Sequence, residues 1–397
     1  MACLAGRPRA LRRPASLRDG IAGALILKTA RHASAGVPRG AARGEHGMSI
    51  EVQGVEGSRE SLIDPLVEVW ERSVRATHAF LNESDIAALR PEARSGIATV
   101  EHLAVVRDGR RPVAFAGAQR GKLEMLFCDA PERGRGMGKA LLAHAVSSWD
   151  VHRLDVNEEN PTAVGFYEHE GFEVVARSSH DGAGRAFPLL HLSLASGPRF
   201  EVRSGEWANV TNDVLLRDRA HASSVSRRLA GDASLTEEQE RSLLEGLLGA
   251  YGIRAKASSG ARFDYGYNVF FGMDAFCNFN CTFLDSAPIV FGDGAMAGPG
   301  CVFATPLHPL RVDERYPHFN PDGGLLAVER ALPIHIGKGA WLASSVTVNP
   351  GVTIGDGSVI GSGSVVTRDV PAGVLAFGNP CRVIRQVSES DRIDYRR

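Results

Sequence analysis

From Ile336 to Val366 an apolar residue stands at every sixth position: Ile336, Leu342, Val348, Ile354, Ile360 and Val366. Four places after the first five come Ala340, Val346, Val352, Ser358 and Ser364, all small or β-branched. A period of six suits neither a helix, at about 3.6 residues per turn, nor a strand with alternating side chains. It suits a chain that turns a corner every six residues and points one apolar side chain inward per face, the repeat of a parallel β-helix. Upstream the beat is looser: Phe271, Cys277 and Phe283, two extra residues, then Phe291, Ala297 and Phe303. It then stops and resumes at Ile336. A coil cannot absorb such an insertion, so residues 304–333 must protrude, and long loops in compact domains are usually functional or disordered. His308 sits where this loop leaves the coil, between Pro306 and Pro309, which stiffen it. A rigidly held imidazole titrates near neutrality and takes a proton from a hydroxyl. Taken by itself, the residue reads first as a surface histidine.

The rest of the chain sets bounds. A length of 397 residues predicts two or three domains. A formal net charge of −1 points to no nucleic-acid or membrane partner. No apolar run reaches the roughly 18 residues of a membrane span. The 6 cysteines show neither CxxC pairing nor metal-ligand spacing. They read as scattered thiols in a reducing compartment, so a cytoplasmic protein without a metal is expected. Residues 1–47 are rich in Arg, Ala, Gly and Pro. Their composition resembles a targeting segment; a disordered basic extension or a mis-assigned start ahead of Met48 is the preferred reading.

Residues 48–196 form the first expected domain. Leu62–Ser73 and Ser84–Ala93 read as helices. His102–Val106, Val113–Gln119 and Leu123–Cys128 read as successive strands with turns at Asp108-Gly109 and Gly121. The turn Arg133-Gly134-Arg135-Gly136-Met137-Gly138 then opens a helical run to Trp149. More strands follow at Arg153–Val156, Phe172–Ala176 and Pro188–Leu194, with a short helix after Asn160-Pro161. This is an α+β order. Glycines let a backbone approach an anion closely, and the opening N–H groups of a helix point at it. Arg133 and Arg135 add charge, so a pyrophosphate is the natural guest; a plain tight turn is the alternative.

Arg133-x-x-Gly136-x-Gly138, placed between strand and helix, resembles the acetyl-CoA loop of the GNAT N-acetyltransferases. The stretch Asp155–Phe172, DVNEENPTAVGFYEHEGF, is similar to that superfamily's second CoA-contacting segment. The resemblance implies acetyl-CoA as co-substrate and an amine acceptor. It assigns Arg133, Arg135, Gly136, Gly138 and Asn160 to the cofactor and makes Tyr167 the general acid toward the leaving thiolate. Asn160 also reads as a helix N-cap, with Pro161 at the first helical position. Tyr167 is otherwise an ordinary core tyrosine. Glu124 is a candidate base or a solvent-facing strand residue. Trp70, His78 and Phe80 are candidates for an acceptor pocket or for helix packing.

Residues 197–397 form the second expected domain. Ser196-Gly197-Pro198 reads as a linker. Helical stretches at Asn209–Leu229 and Thr236–Tyr251 follow, the second opened by a Thr236-x-x-Gln239 capping box. The segments Asp264–Asp285, LHPL, Trp341, NPGVTIGDGSVIGSGSVVTRDVP and GNPCRVIR resemble the maltose/galactoside O-acetyltransferases of the left-handed hexapeptide β-helix family. The resemblance implies a homotrimer with acetyl-CoA in a cleft between neighbouring prisms and a sugar-like acceptor. His308 matches the catalytic histidine. Asp264 and Asn278 match acceptor positions, and Asp285 stands beside Ser286, where relatives place an acidic residue. Glu329 is a candidate to orient the loop or the histidine, and Asn212 falls near another acceptor position. Trp341, Ser344, Ser362, Thr367, Arg368, Arg382 and Arg385 match positions around the pantetheine arm and the phosphates, where guanidinium groups pair well. The expected protein is thus a bifunctional acetyltransferase. The alternatives are an O-acetyltransferase carrying a CoA-binding but non-catalytic first domain, and an N-acetyltransferase trimerised by a scaffold prism.

Overall fold

The computed structural model describes residues 50–319 and 323–395, so the basic extension of residues 1–47 lies outside the described residues. The first domain runs β1 (Gln53–Gly54), α1 (Glu60–Thr77), α2 (Glu83–Thr99), β2 (His102–Asp108), β3 (Arg111–Gln119), β4 (Lys122–Cys128), α3 (Met137–Trp149), β5 (Arg153–Asn157), α4 (Pro161–His169), β6 (Phe172–Ser178) and β7 (Leu189–Leu194). The strands and helices expected from the sequence are all present. They form one seven-stranded sheet in the order β1-β2-β3-β4-β5-β7-β6. Every neighbouring pair is antiparallel except β4 with β5.

Side-chain alternation divides the apolar residues between the two faces. Leu103, Val105 and Phe115 pack under α1 and α2. Ala104, Ala114, Ala116 and Leu154 pack under α3 and α4. The start of α2 is set by a capping box in which Asn82 and Asp85 exchange side-chain-to-backbone hydrogen bonds of 3.0 Å each.

Gly197, at φ 76°, caps α5 (Pro198–Arg203). The composition break read as a linker is therefore ordered, and Val202 within α5 is fully buried. Next come β8 (Ala208–Asn209), α6 (Asp213–Gly231) and α7 (Glu237–Leu247), the last opened by the expected Thr236–Gln239 capping box. The helix stops short of the expected Tyr251. A side chain at Gly249 would lie 2.5 Å from the Tyr267 carbonyl, so the chain there is already part of the prism.

The prism is a left-handed parallel β-helix whose three faces are ladders mostly of two- and three-residue strands, one face closed by the longer pair Val374–Gly378 and Cys381–Gln386. All the expected beat residues from Phe271 to Val366 are at most 2 % exposed. The coils begin one turn earlier than the beat suggests: Tyr251, Ala257 and Phe263 pair in register with Phe271, Cys277 and Phe283. Phe263, Phe283 and Phe303 stack inside at 5.0 and 5.1 Å, so aromatic volume fills the upper prism. Corners need left-handed backbone, and two ladders supply it. Arg254, Asp274, Gly294, Gly339 and Gly357 turn at one corner; Gly260, Asn280, Gly300, Ser345 and Gly363 turn at the next. Glycine meets this at no steric cost, and Asn and Asp tolerate it.

The third corner is different. It opens into Asp264–Asn268, then Asp285–Pro288, then residues 305–333. The base of the long loop is stitched shut by pairing of Pro306 with Ala331 and Leu307 with Arg330. Thr305 Oγ1 accepts from the Ala287 N–H at 3.0 Å and donates to the Leu284 carbonyl at 2.7 Å. Val328–Ala331 also pairs with β8.

The domains pack directly. Arg153 of β5 donates to the Leu248 and Gly246 carbonyls at the end of α7, at 2.7 and 3.2 Å, where a cation complements the helix terminus. Arg199 bridges Asp150 and Asp218, and Ser179 Oγ donates to Asp293 at 2.5 Å.

Candidate active sites

The first constellation surrounds the glycine turn. Gly134 and Gly136 have φ of 76° and 86°, where side chains are strained. Ala140 N–H bonds to the Gly136 carbonyl at 3.0 Å, so the N–H groups of Met137, Gly138 and Lys139 lack helical partners. Three donors and a helix N-terminus therefore point out of the turn. The loop is held from behind by Asp129, nearly fully buried, which takes two hydrogen bonds from Arg72 at 2.9 and 3.1 Å. Arg133 donates to the Ser73 carbonyl at 3.1 Å, and Arg135 pairs with Glu132. In this arrangement the backbone, more than the arginines, faces an anion.

Beside the turn, β4 and β5 pair only at Lys122–Arg153 and Leu123–Leu154 and then part. The parting leaves a wedge whose edge groups suit an extended amide-bearing arm, so the residues present fit the pantetheine of acetyl-CoA. Gly117 pairs with Met125 and Ala118 with Leu123, so Glu124 is a bulge residue, re-aimed by the extra residue. Its carboxylate meets Lys122 at 3.2 Å and Gln119 at 3.3 Å. Asn160 caps α4 as expected, accepting from Ala163 N–H at 3.2 Å. Tyr167 lies in the core against Phe166 and Phe172. Burial pushes its phenol upward, so it stays protonated and able to donate. Trp70 and His78 line a cleft of about 550 Å³ under α1 and α2 that reaches Glu124. Phe80 instead packs between His78 and Phe187.

The second constellation sits at the open corner of the prism. His308, exposed, leaves the loop ladder one residue beyond Leu307. Glu329, on the partner strand, is 4 % exposed and accepts from Ser286 Oγ at 2.5 Å. Burial raises the Asp264 carboxyl while Arg219 opposes the rise. Arg219 lies 3.9 Å from Glu329 and 5.1 Å above the Tyr265 ring.

Two of the expected acceptor residues also hold their own loops. Asp285 is fully buried and accepts from the backbone N–H groups of Asp264, Tyr265 and Gly266 at 3.0, 2.9 and 2.7 Å. These bonds fold the corner. Asn212 is the N-cap of α6, accepting from Leu215 N–H at 3.0 Å and donating to the Asn209 carbonyl at 3.3 Å.

The remaining expected residues are spread around the prism. Asn278, Trp341, Ser344 and Ser362 lie on the second face or at the corner where it meets the third, the opposite edge of the third face from His308. Thr367 and Arg368 follow the rung Val365–Val366, at the open corner. Arg382 and Arg385 lie exposed on the strand Cys381–Gln386, and Arg385 pairs with Asp391 at 2.6 Å.

An acetyltransferase (GNAT) domain family matches residues 74–188, and a bacterial transferase hexapeptide family (six repeats) matches residues 333–368. The peptidyl-lysine N-acetyltransferase YjaB of Escherichia coli is 37% identical over 139 residues, covering 35% of this chain and 95% of that protein. The galactoside O-acetyltransferase of Escherichia coli is 37% identical over 158 residues, covering 40% of this chain and 73% of that protein. The chain belongs to both acetyltransferase families.

A maltose O-acetyltransferase structure from Clostridium difficile 630 is 33% identical with a TM-score of 0.45, covering 49% of this chain and 100% of that chain. As a fused acetyltransferase, the protein holds one constellation per domain. One neighbour of Glu329 and Tyr265 escaped the sequence reading. Arg219 stands on the buried stripe of α6, between Leu215 and Ala222, and a charge on an apolar stripe was the signal. Among the described residues no helix is long and apolar enough to cross a membrane.

Proposed function

We propose that the protein is bifunctional, with two acetyl-CoA-dependent sites: the second domain acetylates a hydroxyl of a sugar-like acceptor and the first acetylates an amine. The observation that supports this reading is that the two constellations are built on unrelated scaffolds and share no residue. In the second domain His308 Nε2 or Nδ1 takes the proton from the acceptor hydroxyl, and the resulting alkoxide attacks the thioester carbonyl. Asp264, Glu329 and Arg219 orient the acceptor and the loop. Trp341, Ser344, Ser362, Thr367, Arg368, Arg382 and Arg385 hold the pantetheine and phosphates. A backbone N–H near Ser344 steadies the oxyanion, a role typically worth about 10²–10³ in rate.

Asn278 and Ser344 stand across one face from His308, on the order of 15 Å for five extended residues. One chain cannot bring them to one bond, which supports a homotrimer in which the open corner of one prism meets the second corner of its neighbour. In the first domain the backbone N–H groups after Gly136 take the pyrophosphate, with Arg133, Arg135, Gly138 and Asn160 around it. Glu124 takes the proton from the ammonium of the acceptor, and Tyr167 protonates the thiolate that leaves.

Equilibrium dialysis with acetyl-CoA tests the count. Two sites per chain are expected, falling to one in Gly136→Asp, whose carboxylate occupies the anion cradle. One site per chain in the wild type refutes the reading.

A further inference from the structure

The cleft under α1 and α2 does not end at the first domain. A second cavity of about 410 Å³ continues it beneath the other domain, and both are lined by Gln119 and Glu124. One wall of this continuation is a row of polar side chains crossing the sheet. Lys122 Nζ lies 2.9 Å from Asp155, His191 Nδ1 lies 2.6 Å from the other Asp155 oxygen, and His191 Nε2 lies 2.7 Å from Ser178 Oγ. The opposite wall belongs to the second domain: Ser242 and Glu245 of α7 and Tyr251 of the first coil. Phe270 closes over the His191 ring at 5.4 Å, and the Arg153 and Arg199 bridges hold the walls together.

We propose that the second domain completes the amine-acceptor pocket of the first, and that the pocket takes a small hydroxylated amine of amino-sugar type. The proposal rests on the reading that the first domain acetylates amines, and deepens it. Size argues for a small molecule, since pockets of a few hundred Å³ enclose such ligands. Charge argues for an amine: the lining carries four carboxylates, Glu124, Asp155, Asp181 and Glu245, against the cations Arg120, Lys122 and Arg153, and the Arg153 guanidinium is turned to carbonyls at the end of α7. Hydroxyl and imidazole groups at the far end, Ser178, Ser242 and His191, suit a polyhydroxylated body.

Full-length protein is assayed with D-glucosamine and with an Nα-acetylated lysine peptide, N-acetyl products being separated from esters by mild alkali. Ser242 is exposed on α7, so Ser242→Trp fills the continuation without touching the groups that handle the proton. The wild type is expected to N-acetylate glucosamine with kcat/KM at least tenfold above the peptide. Ser242→Trp is expected to raise KM for glucosamine tenfold or more, leaving KM for acetyl-CoA and sugar O-acetylation unchanged; the retained O-acetylation reports a folded protein. An unchanged glucosamine KM in this variant overturns the shared wall, and preference for the peptide overturns the acceptor class. Wild-type protein that N-acetylates neither probe, nor any other amine tried, overturns the N-acetyl reading of the first domain itself.

Discussion

Asp155 carries the charge row at the domain interface, and its removal has a graded, calculable effect. Burial opposes its charge, but Lys122 and His191 outweigh it and hold its carboxyl well below the usual range. Asp155→Ala leaves Lys122 with Glu124 alone, at 3.2 Å, and leaves His191 Nδ1 without a partner. Breaking a buried pair from one side costs about 3–5 kcal/mol. Asp155→Asn is milder. Its amide oxygen still accepts from Lys122 and its amide nitrogen donates to His191 Nδ1, provided His191 turns its remaining N–H to Ser178. Only charge is lost, at a cost of about 1–2 kcal/mol. The pH dependence follows from the sign of the shift. A depressed carboxyl contributes stability that is present above its unfolded value near 4 and is lost as pH falls toward its folded value. Urea denaturation of the three proteins at pH 7, 5 and 3 reads both effects. The gap between wild type and Asp155→Ala should narrow between pH 5 and pH 3. A gap under about 1 kcal/mol at pH 7, or one that does not narrow, refutes the reasoning.

Two further outcomes are expected. Co-expressed His308→Ala and Asn278→Ala chains, each weak alone in O-acetylation, should recover activity in mixed trimers because each supplies the corner the other lacks; activity no higher than the sum of the parents contradicts a shared site. Phe283→Ala, at a position 0 % exposed and stacked between Phe263 and Phe303, should lower the unfolding free energy by about 3–5 kcal/mol in denaturant melts, and a loss below about 1 contradicts the aromatic spine.

The prism was readable from sequence because a period of six leaves few alternatives, and its interruption pointed to His308. The first coil escaped because Tyr251, Ala257 and Phe263 follow directly on a helix, and Gly249 gives no apolar signal at the join. The loop-folding parts of Asp285 and Asn212 were not legible for one reason: short polar side chains in a loop read alike whether they bind a ligand or fold the loop. Backbone N–H groups decide between the two, and only coordinates show where those point. Asp155 and His191 alternate with apolar Leu154 and Leu192, so period two marks them as solvent-facing. Another domain covers that face, which no local pattern records.

The central claim is that two separate chemistries share one chain, and His308→Ala tests it most directly. Initial rates of sugar O-acetylation and amine N-acetylation are measured side by side on the folded protein. The account predicts an O-acetylation rate lower by about 10²–10⁴, as for loss of a positioned base, with N-acetylation unchanged. Undiminished O-acetylation, or an equal fall in both rates, contradicts it.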